Sequence, residues 1–413
     1  MEKLKKKILI HSLVFSPDNV STAYIYNDIA LGLKNSNYEV IVLTTTPHYN
    51  FVKNTNNQQQ LSKKMLGLYY VSFFNEIKII HVPIKKYTII YLRITSLLYW
   101  HFLSLILALK IRNIDFIICP TPPPSIGIIG LLIAKIKKSK FIYNVQEVYP
   151  DILINQGLLK SKIFIWFLKK IEIFIYKYAD SIIAIDLNFY NILIDRISNK
   201  KKLSIIPNFV DTDLYKPTIP DSEVNLIFQN SNKIKLLYAG NIGIFQDWEP
   251  ILYAADKLKN TNIEFWIIGD GLKKNYLLEK INKLGLKNII LIPYLDRNLM
   301  PAINSFVDIH FISANEEISQ FGFPSKVYTI MACAKPMIVI TKIDTPLYNF
   351  LHPIDCSILI TSNKNENFTN SIIKLSNNKN LQKKLGLNGY DIIQQNYTKN
   401  IIINMYIKIL KNL

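Results

Sequence analysis

Three short segments carry residue types suited to handling a phosphate-bearing molecule. Pro324-Ser325-Lys326 stands at the head of a helical apolar pattern. A helix start offers unpaired amide groups and the positive end of the helix dipole to an anion, and Lys326 adds a full charge. The plainer alternative is a helix start with Lys326 in solvent. Gly240-Asn241-Ile242-Gly243 follows a strand-like run, with Gln246 and Glu249 after it. Glycines there let the backbone approach a ligand closely, or simply make a tight turn. Gly269-Asp270-Gly271 ends the next strand, and Tyr294 follows the one after. Each is either a ligand contact or ordinary turn and packing chemistry.

In the first half of the chain, Gln146-Glu147 ends a strand ahead of Tyr149-Pro150. A carboxylate at that place can orient or deprotonate a hydroxyl; an amide such as Gln146 cannot act as the base. The competing reading is a structural carboxylate bonded to loop amides. Thr121 precedes two prolines, and Ser21 and Thr22 stand at the start of the first helical pattern. The latter two are expected to cap that helix, with a ligand contact as the sharper possibility. His11 reads as a core residue.

These residues need rigid elements beneath them, and the apolar pattern supplies two series of such elements. Lys7–His11, a helical repeat at Ile25, Ile29 and Leu33, and a run from Tyr38 to Leu43 make a βαβ unit. Further strands are expected at residues 77–82, 116–119, 140–145 and 181–185. Their continuous apolar character fits parallel strands buried on both faces. A second series begins at Ile234, with strands at 234–239, 263–268, 289–292, 309–312 and 337–340. The helix between the second and third of these is expected to end at Gly285. The segment 199–233 carries Pro207, Pro217 and Pro220 and reads as a linker. The fold class is therefore α/β, with two doubly wound, Rossmann-like domains at 1–200 and 201–396. A C-terminal helix at 397–413 is expected to pack back on the first. Ligands bind beyond the carboxyl ends of such sheets, so two of them facing one another would make a cleft.

Composition limits the classes further. The chain has 413 residues, 49% hydrophobic and 19% charged, which describes a folded protein long enough for two or three domains. The net charge of +19 is uneven: residues 1–200 hold 25 basic and 12 acidic side chains. That half suits an anionic partner such as a membrane surface, unless it reflects only the general abundance of lysine. No nucleic-acid reading motif accompanies the charge, so no nucleic-acid partner is expected. Cys119, Cys333 and Cys356 have no metal-ligand spacing and read as core residues in a reducing compartment. Residues 54–60 form a polar loop. Residues 97–109 are apolar but too short to span a bilayer, which takes about 20 residues.

Several segments together resemble the family 4 glycosyltransferases of GT-B fold, in particular the branch that makes bacterial capsule, O-antigen and exopolysaccharide. They are Thr121-Pro122-Pro123, Asn144 through Pro150, Ala179 through Ala184, and Pro207-Asn208-Phe209-Val210-Asp211 followed by Tyr215-Lys216-Pro217. Tyr238 through Gly243, Ile268 through Gly271, and Phe323 through Pro336 continue the series in the same order. The resemblance implies a retaining hexosyltransferase that uses a nucleotide-sugar donor, UDP-linked, without a metal or other cofactor. It implies a lipid-linked or oligosaccharide acceptor and a cytoplasmic enzyme held peripherally on the inner membrane. The aromatic run Ile163 through Leu168 would help to dock it. It places the Gly240 loop and Lys326 near the donor diphosphate. One departure stands out: the family's paired glutamates, eight positions apart, fall on Phe321 and Thr329. Glu316 or Glu317 could enter from the preceding loop, and the sugar-reading part of the site is unassigned. The rivals are a sugar-nucleotide epimerase on the same plan and a non-enzymatic sugar- or anion-binding protein.

Overall fold

The computed structural model describes residues 5–413 apart from 19, 48–58, 86, 88, 156, 158, 220–221, 229–230 and 316–322. Most of the expected polar loop at 54–60, and Glu316, Glu317 and Phe321, lie outside the described residues. Contacts within the chain gather into two units, residues 1–208 with 399–413, and residues 209–398.

The first unit contains strands β1 (Lys7–His11), β2 (Glu39–Thr45), β3 (Ser62–Lys64), β4 (Tyr69–Phe74), β5 (Ile77–Val82), β6 (Phe116–Pro120), β7 (Lys140–Val145), β8 (Ser181–Ala184) and β9 (Leu203–Ile205). Its helices are α1 (Ser21–Asn35), α2 (Ile90–Leu109), α3 (Ile126–Lys137), α4 (Asp151–Asn155), α5 (Lys162–Tyr178) and α6 (Leu187–Ile194). The strands form one sheet in the order β3-β4-β5-β2-β1-β6-β7-β8-β9. From β5 to β9 every pairing is parallel. The β3–β4 and β4–β5 pairs are antiparallel, an edge that the sequence reading did not anticipate. The reason is that β4, Tyr-Tyr-Val-Ser-Phe-Phe, lacks the helical segment that separates parallel neighbours.

The second unit contains β10 (Ile234–Ala239), β11 (Ile263–Ile268), β12 (Ile289–Ile292), β13 (Ile309–Ser313), β14 (Met337–Ile340) and β15 (Ser357–Ile360). Its helices are α7 (Ser222–Ile227), α8 (Glu249–Lys257), α9 (Lys274–Leu284), α10 (Met300–Phe306), α11 (Lys326–Ala332), α12 (Pro346–Leu351), α13 (Lys364–Ser376) and α14 (Lys379–Asn396). The sheet runs β12-β11-β10-β13-β14-β15, all parallel. As expected, Gly285 ends α9 in the left-handed conformation, φ 62°.

Both sheets have a point where the strand order reverses, between β1 and β6 in the first and between β10 and β13 in the second. Loops leaving adjacent strands part company there and open a crevice at the strands' carboxyl ends. The strands beneath are buried along most of their length: Ile8, Leu9 and Ile10 of β1, all of β6, and Leu236, Leu237 and Tyr238 of β10 lie inside. His11 is fully buried, and all three cysteines are free and buried.

Helix α15 (Lys399–Asn412) packs against α1 in the first unit. Its Tyr406 hydroxyl accepts a hydrogen bond from the Asn144 side-chain amide on β7, and both groups are buried. Helix α2 corrects the expectation of a short apolar segment. It extends over 20 residues, and Tyr91–Leu109 is long and apolar enough to cross a membrane. The leading turns from residue 90 were missed because Arg93 and Thr95 interrupt the apolar run. Its second half is built into the core through Trp100, Leu103, Leu107 and Ala108.

Tyr406→Phe removes the acceptor from Asn144 and leaves a buried amide unpaired. We expect a loss of about 1–3 kcal/mol in urea-induced unfolding, with no change in the slope of the transition.

Candidate active site

In the second unit, the loops after β10 and β11 are laced together at the reversal point. The Ile242 amide donates to the Asp270 carbonyl at 2.8 Å, and the Lys273 amide donates to the Ile242 carbonyl at 2.9 Å. This lacing needs glycine. A Cβ at Gly269, where φ is +159°, would lie 1.9 Å from the Gly240 carbonyl oxygen; one at Gly271 would lie 2.4 Å from the Ile242 carbonyl oxygen. The Gly243 amide donates to the Gln246 side-chain oxygen at 2.9 Å, and the Tyr238 hydroxyl donates to the Asn241 carbonyl at 2.6 Å. The Asn241 side chain is left exposed at the rim.

Lys326 comes to this platform from α11, which follows β13. Its ammonium lies 3.6 Å from the centre of the Tyr238 ring, and a Cβ on Gly240 would be 2.8 Å from Nζ. Among the described residues no carboxylate pairs with it. Desolvation therefore acts unopposed, and burial draws Lys326 down to about 7. The helix start contributes less than the sequence suggested. The amides of Val327 and Tyr328 donate back to the carbonyls of Pro324 and Ser325, so the first turn satisfies two of its own donors. Ser325 is exposed and makes no side-chain cap.

Asp270 and Tyr294 sit at the outer edge. Asp270 accepts from the Gly271 amide and from Lys274, both at 2.8 Å, and the lysine holds its carboxyl below the usual range. Tyr294 is exposed, and its hydroxyl donates to the Asp270 carbonyl at 3.3 Å. The platform can thus offer a cation and a cradle of glycine backbone to an anion, with an aromatic ring beside it.

In the first unit, one hydroxyl organises the loop after β7. Thr121, just past β6, accepts from the amides of Gln146 and Glu147 at 2.9 and 3.0 Å and donates to the Glu147 carbonyl at 3.2 Å. It is 2% exposed, so it shapes the loop from beneath. Gln146 is held by Asn208 through two amide hydrogen bonds of 3.1 and 3.0 Å, and donates to Asn144 at 3.2 Å. Glu147 accepts from the Tyr149 hydroxyl at 2.8 Å. Burial raises the Glu147 carboxyl above its usual range, and the tyrosine bond pulls it partly back.

The sequence profile described as "Glycosyltransferase Family 4" matches residues 23–214, and that of "Glycosyl transferases group 1" matches residues 224–392. The chain belongs to the family 4 glycosyltransferases. This family 4 glycosyltransferase is 25% identical over 246 residues to "Probable glycosyltransferase WbjE" of Pseudomonas aeruginosa, covering 58% of this chain and 60% of the relative. It is 23% identical over 223 residues to "Putative colanic acid biosynthesis glycosyl transferase WcaI" of Escherichia coli, covering 52% of this chain and 54% of that one. The similarity thus spans little more than half the length of these relatives. In structure it resembles Anabaena Alr3699/HepE, solved in complex with UDP, at a TM-score of 0.71 and 15% identity, covering 98% of this chain and all of that one. Sucrose-phosphate synthase from Thermosynechococcus elongatus gives 0.74 at 12% identity, covering 99% of each chain. These likenesses establish the GT-B fold.

In this family 4 glycosyltransferase, the structure gathers Gly240, Asn241, Gly243, Gln246, Gly269, Asp270, Gly271, Tyr294 and Lys326 into one cluster, with Pro324 and Ser325 leading into it. Thr121, Gln146 and Glu147 form a second cluster. Ser21 and Thr22 do not cap α1; the cap position is Val20, with no side-chain cap bond, because the helix begins at Ser21 itself. Thr329, one of the expected glutamate positions, donates its hydroxyl to the Lys326 carbonyl at 2.9 Å. Sequence reasoning missed Tyr238, Asn208 and Tyr149 as partners of Lys326, Gln146 and Glu147. Asn208 and Tyr149 each lie within a motif already singled out, which was the available signal. Tyr238 likewise opens the Tyr238–Gly243 motif, but its pairing with Lys326 comes only through the fold.

Lys326 generates a sharp test with inorganic pyrophosphate. An anion restores the ammonium, so binding should take up a proton above pH 7, where the free protein holds the amine largely neutral. Calorimetry in buffers of different ionisation heat should show this uptake, and the lysine contribution to affinity should fall by up to about tenfold per pH unit above 7. Lys326→Met should abolish the uptake attributable to the protein. Equal uptake in both proteins would remove the role of Lys326.

Proposed function

We propose that this protein transfers a sugar from a UDP-linked donor to a saccharide on a lipid carrier, in surface polysaccharide synthesis, at the inner face of the membrane. The observation that carries this reading is the Lys326 ammonium, with no carboxylate partner among the described residues, beside the glycine loops after β10 and β11. Breaking the bond between the anomeric carbon and a diphosphate leaves negative charge on the leaving oxygen. A preorganised cation and backbone donors stabilise that charge most where water is excluded. Lys326 takes this part, the Gly240 loop with Asn241 cradles the phosphates, and Asp270 and Tyr294 face the nucleoside side. This chemistry asks for no metal.

Glu147 takes the acceptor side. Its raised carboxyl is suited to hold the attacking hydroxyl and to receive its proton as the new glycosidic bond forms. Gln146, Thr121 and Asn208 fix the loop that presents it. Retention of anomeric configuration is carried by the family resemblance. The UDP complex of HepE supports the donor, and the colanic acid biosynthesis in the name of WcaI supports the pathway class.

Incubation with a panel of nucleotide sugars and lipid-linked saccharides should give UDP release that depends on acceptor. Altered sugar nucleotide without acceptor would identify an epimerase instead, and binding without turnover across the panel would identify a binding protein. In the transfer assay Glu147→Gln should lower kcat by about 10²–10⁴-fold. Tyr149→Phe removes a bond that stabilises the ionised form, so the acidic limb of the kcat/KM profile should move to higher pH. A limb that stays in place would exclude Glu147 as the titrating group.

A further inference from the structure

The antiparallel edge of the first sheet carries a concavity of its own. Strand β4 turns Tyr69, Val71 and Phe73 to one face. The antiparallel pairing then sets a lysine opposite each ring: Lys64 of β3 against Tyr69, and Lys78 of β5 against Phe73. Side chains directly opposed on one face of a sheet lie about 5 Å apart at Cβ, so a ring and its lysine can act on the same ligand. The two pairs recur four residues apart along β4, a spacing of ~13 Å. The opposite face of these strands is used for packing. There Ser72 bonds His81 at 2.7 Å, and Phe74 meets Phe15 edge-on at 5.9 Å between ring centres.

The open face encloses a cavity of about 440 Å³, within the roughly 300–1,000 Å³ of small-molecule sites. Its floor is apolar, from Ile41, Val71 and Ile80 of the sheet, and Leu107 and Ile111 at the end of α2 make one wall. Lys64, Lys78 and Lys110 stand on the rim and are exposed, and Phe73 is 63% exposed. No acidic side chain is among the described residues that line it. Between Ser62 and Val82 the chain has one acid, Glu76, and Lys34 of α1 holds it at 2.6 Å. The field over the cavity is therefore positive.

The location separates it from the candidate reagents. Ile41 and Lys78 are register partners near the starts of β2 and β5, and Lys110 follows α2 ahead of β6. The cavity lies toward the amino ends of the parallel strands. Thr121, Gln146 and Glu147 lie beyond their carboxyl ends.

We propose that this cavity binds an acidic oligosaccharide, one whose sugar rings carry carboxylates. A pyranose has an apolar C–H face and a polar edge. The face packs on Tyr69 or Phe73, and the carboxylate takes a charge-assisted bond from the lysine opposite. Two ring–lysine pairs ~13 Å apart suit an oligomer better than a single sugar. A single-stranded nucleic acid asks for a basic track along its backbone, whereas this rim holds three lysines around one apolar floor. The proposal deepens the transferase reading, on which it rests for the choice of a saccharide. It names an acidic chain and gives the enzyme a hold on it away from the reacting end.

The test uses the full chain and calorimetry with trigalacturonate, its neutral counterpart maltotriose, and galacturonate monomer. Trigalacturonate should bind and weaken with salt. Maltotriose and the monomer should bind at least roughly tenfold more weakly. Lys64→Ser and Lys78→Ser should each weaken binding about two- to fivefold, and Phe73→Ala about three- to tenfold. Lys64, Lys78 and Phe73 are exposed, so circular dichroism and pyrophosphate binding by the variants should be unchanged. Saturating UDP should leave trigalacturonate affinity unaltered. Trigalacturonate binding without sugar transfer from any donor would remove the transferase reading and support this site; transfer without trigalacturonate binding would overturn this site alone. Equal binding of maltotriose, binding that the three variants do not alter, displacement by UDP, or tighter binding of oligouridylate or anionic vesicles at this face would each overturn the proposal.

Discussion

An ammonium drawn down by burial, with no counter-ion among the described residues, is the arrangement around which the second unit is organised. Lys326 stands over the Tyr238 ring, and the attraction of a cation for a ring face offsets only part of the lost hydration. The depressed basicity is the measure of what remains uncompensated. Such a residue persists because its neighbours leave it nowhere better to go. The Gly240 and Gly269 loops meet too closely for side chains, Tyr238 is tied to the Asn241 carbonyl, and α11 is fixed by buried Val327, Tyr328 and Met331. An arriving anion completes the site.

The first unit solves a different problem. A loop beyond a buried parallel strand has amides to satisfy, and Thr121 satisfies two of them from the neighbouring strand. This leaves the side chains of Gln146 and Glu147 free to be set by others. Asn208 takes the amide, so Gln146 is a fixed wall rather than a reagent. Tyr149 takes one carboxylate oxygen of Glu147 and leaves a half-buried acid with raised basicity. The same two features, partial burial and one specific partner, recur wherever a carboxylate is tuned toward neutral pH.

The outer helices of that unit follow neither logic. Polar atoms inside α2 without a partner among the described residues, and aromatic side chains outside α2 and α5, both cost free energy.

Much of this was legible in the chain. Alternating apolar runs gave both parallel sheets, because strands buried on two faces leave continuous hydrophobic text. Glycines at 240, 269 and 271 marked the close approaches, and ordered motifs indicated the family. The antiparallel edge at β3 and β4 was not legible, since apolar strands look alike whichever way they run. Nor was the first half of α2, where a charge breaks the hydrophobic run. The cap on α1 was misplaced because Ser and Thr favour that position without being bound to it. The sequence by itself determined the elements, their order and the candidate reagents. Only the tertiary structure decided which side chains tune them, because Tyr238 with Lys326 and Asn208 with Gln146 are pairs distant in sequence that packing alone brings together.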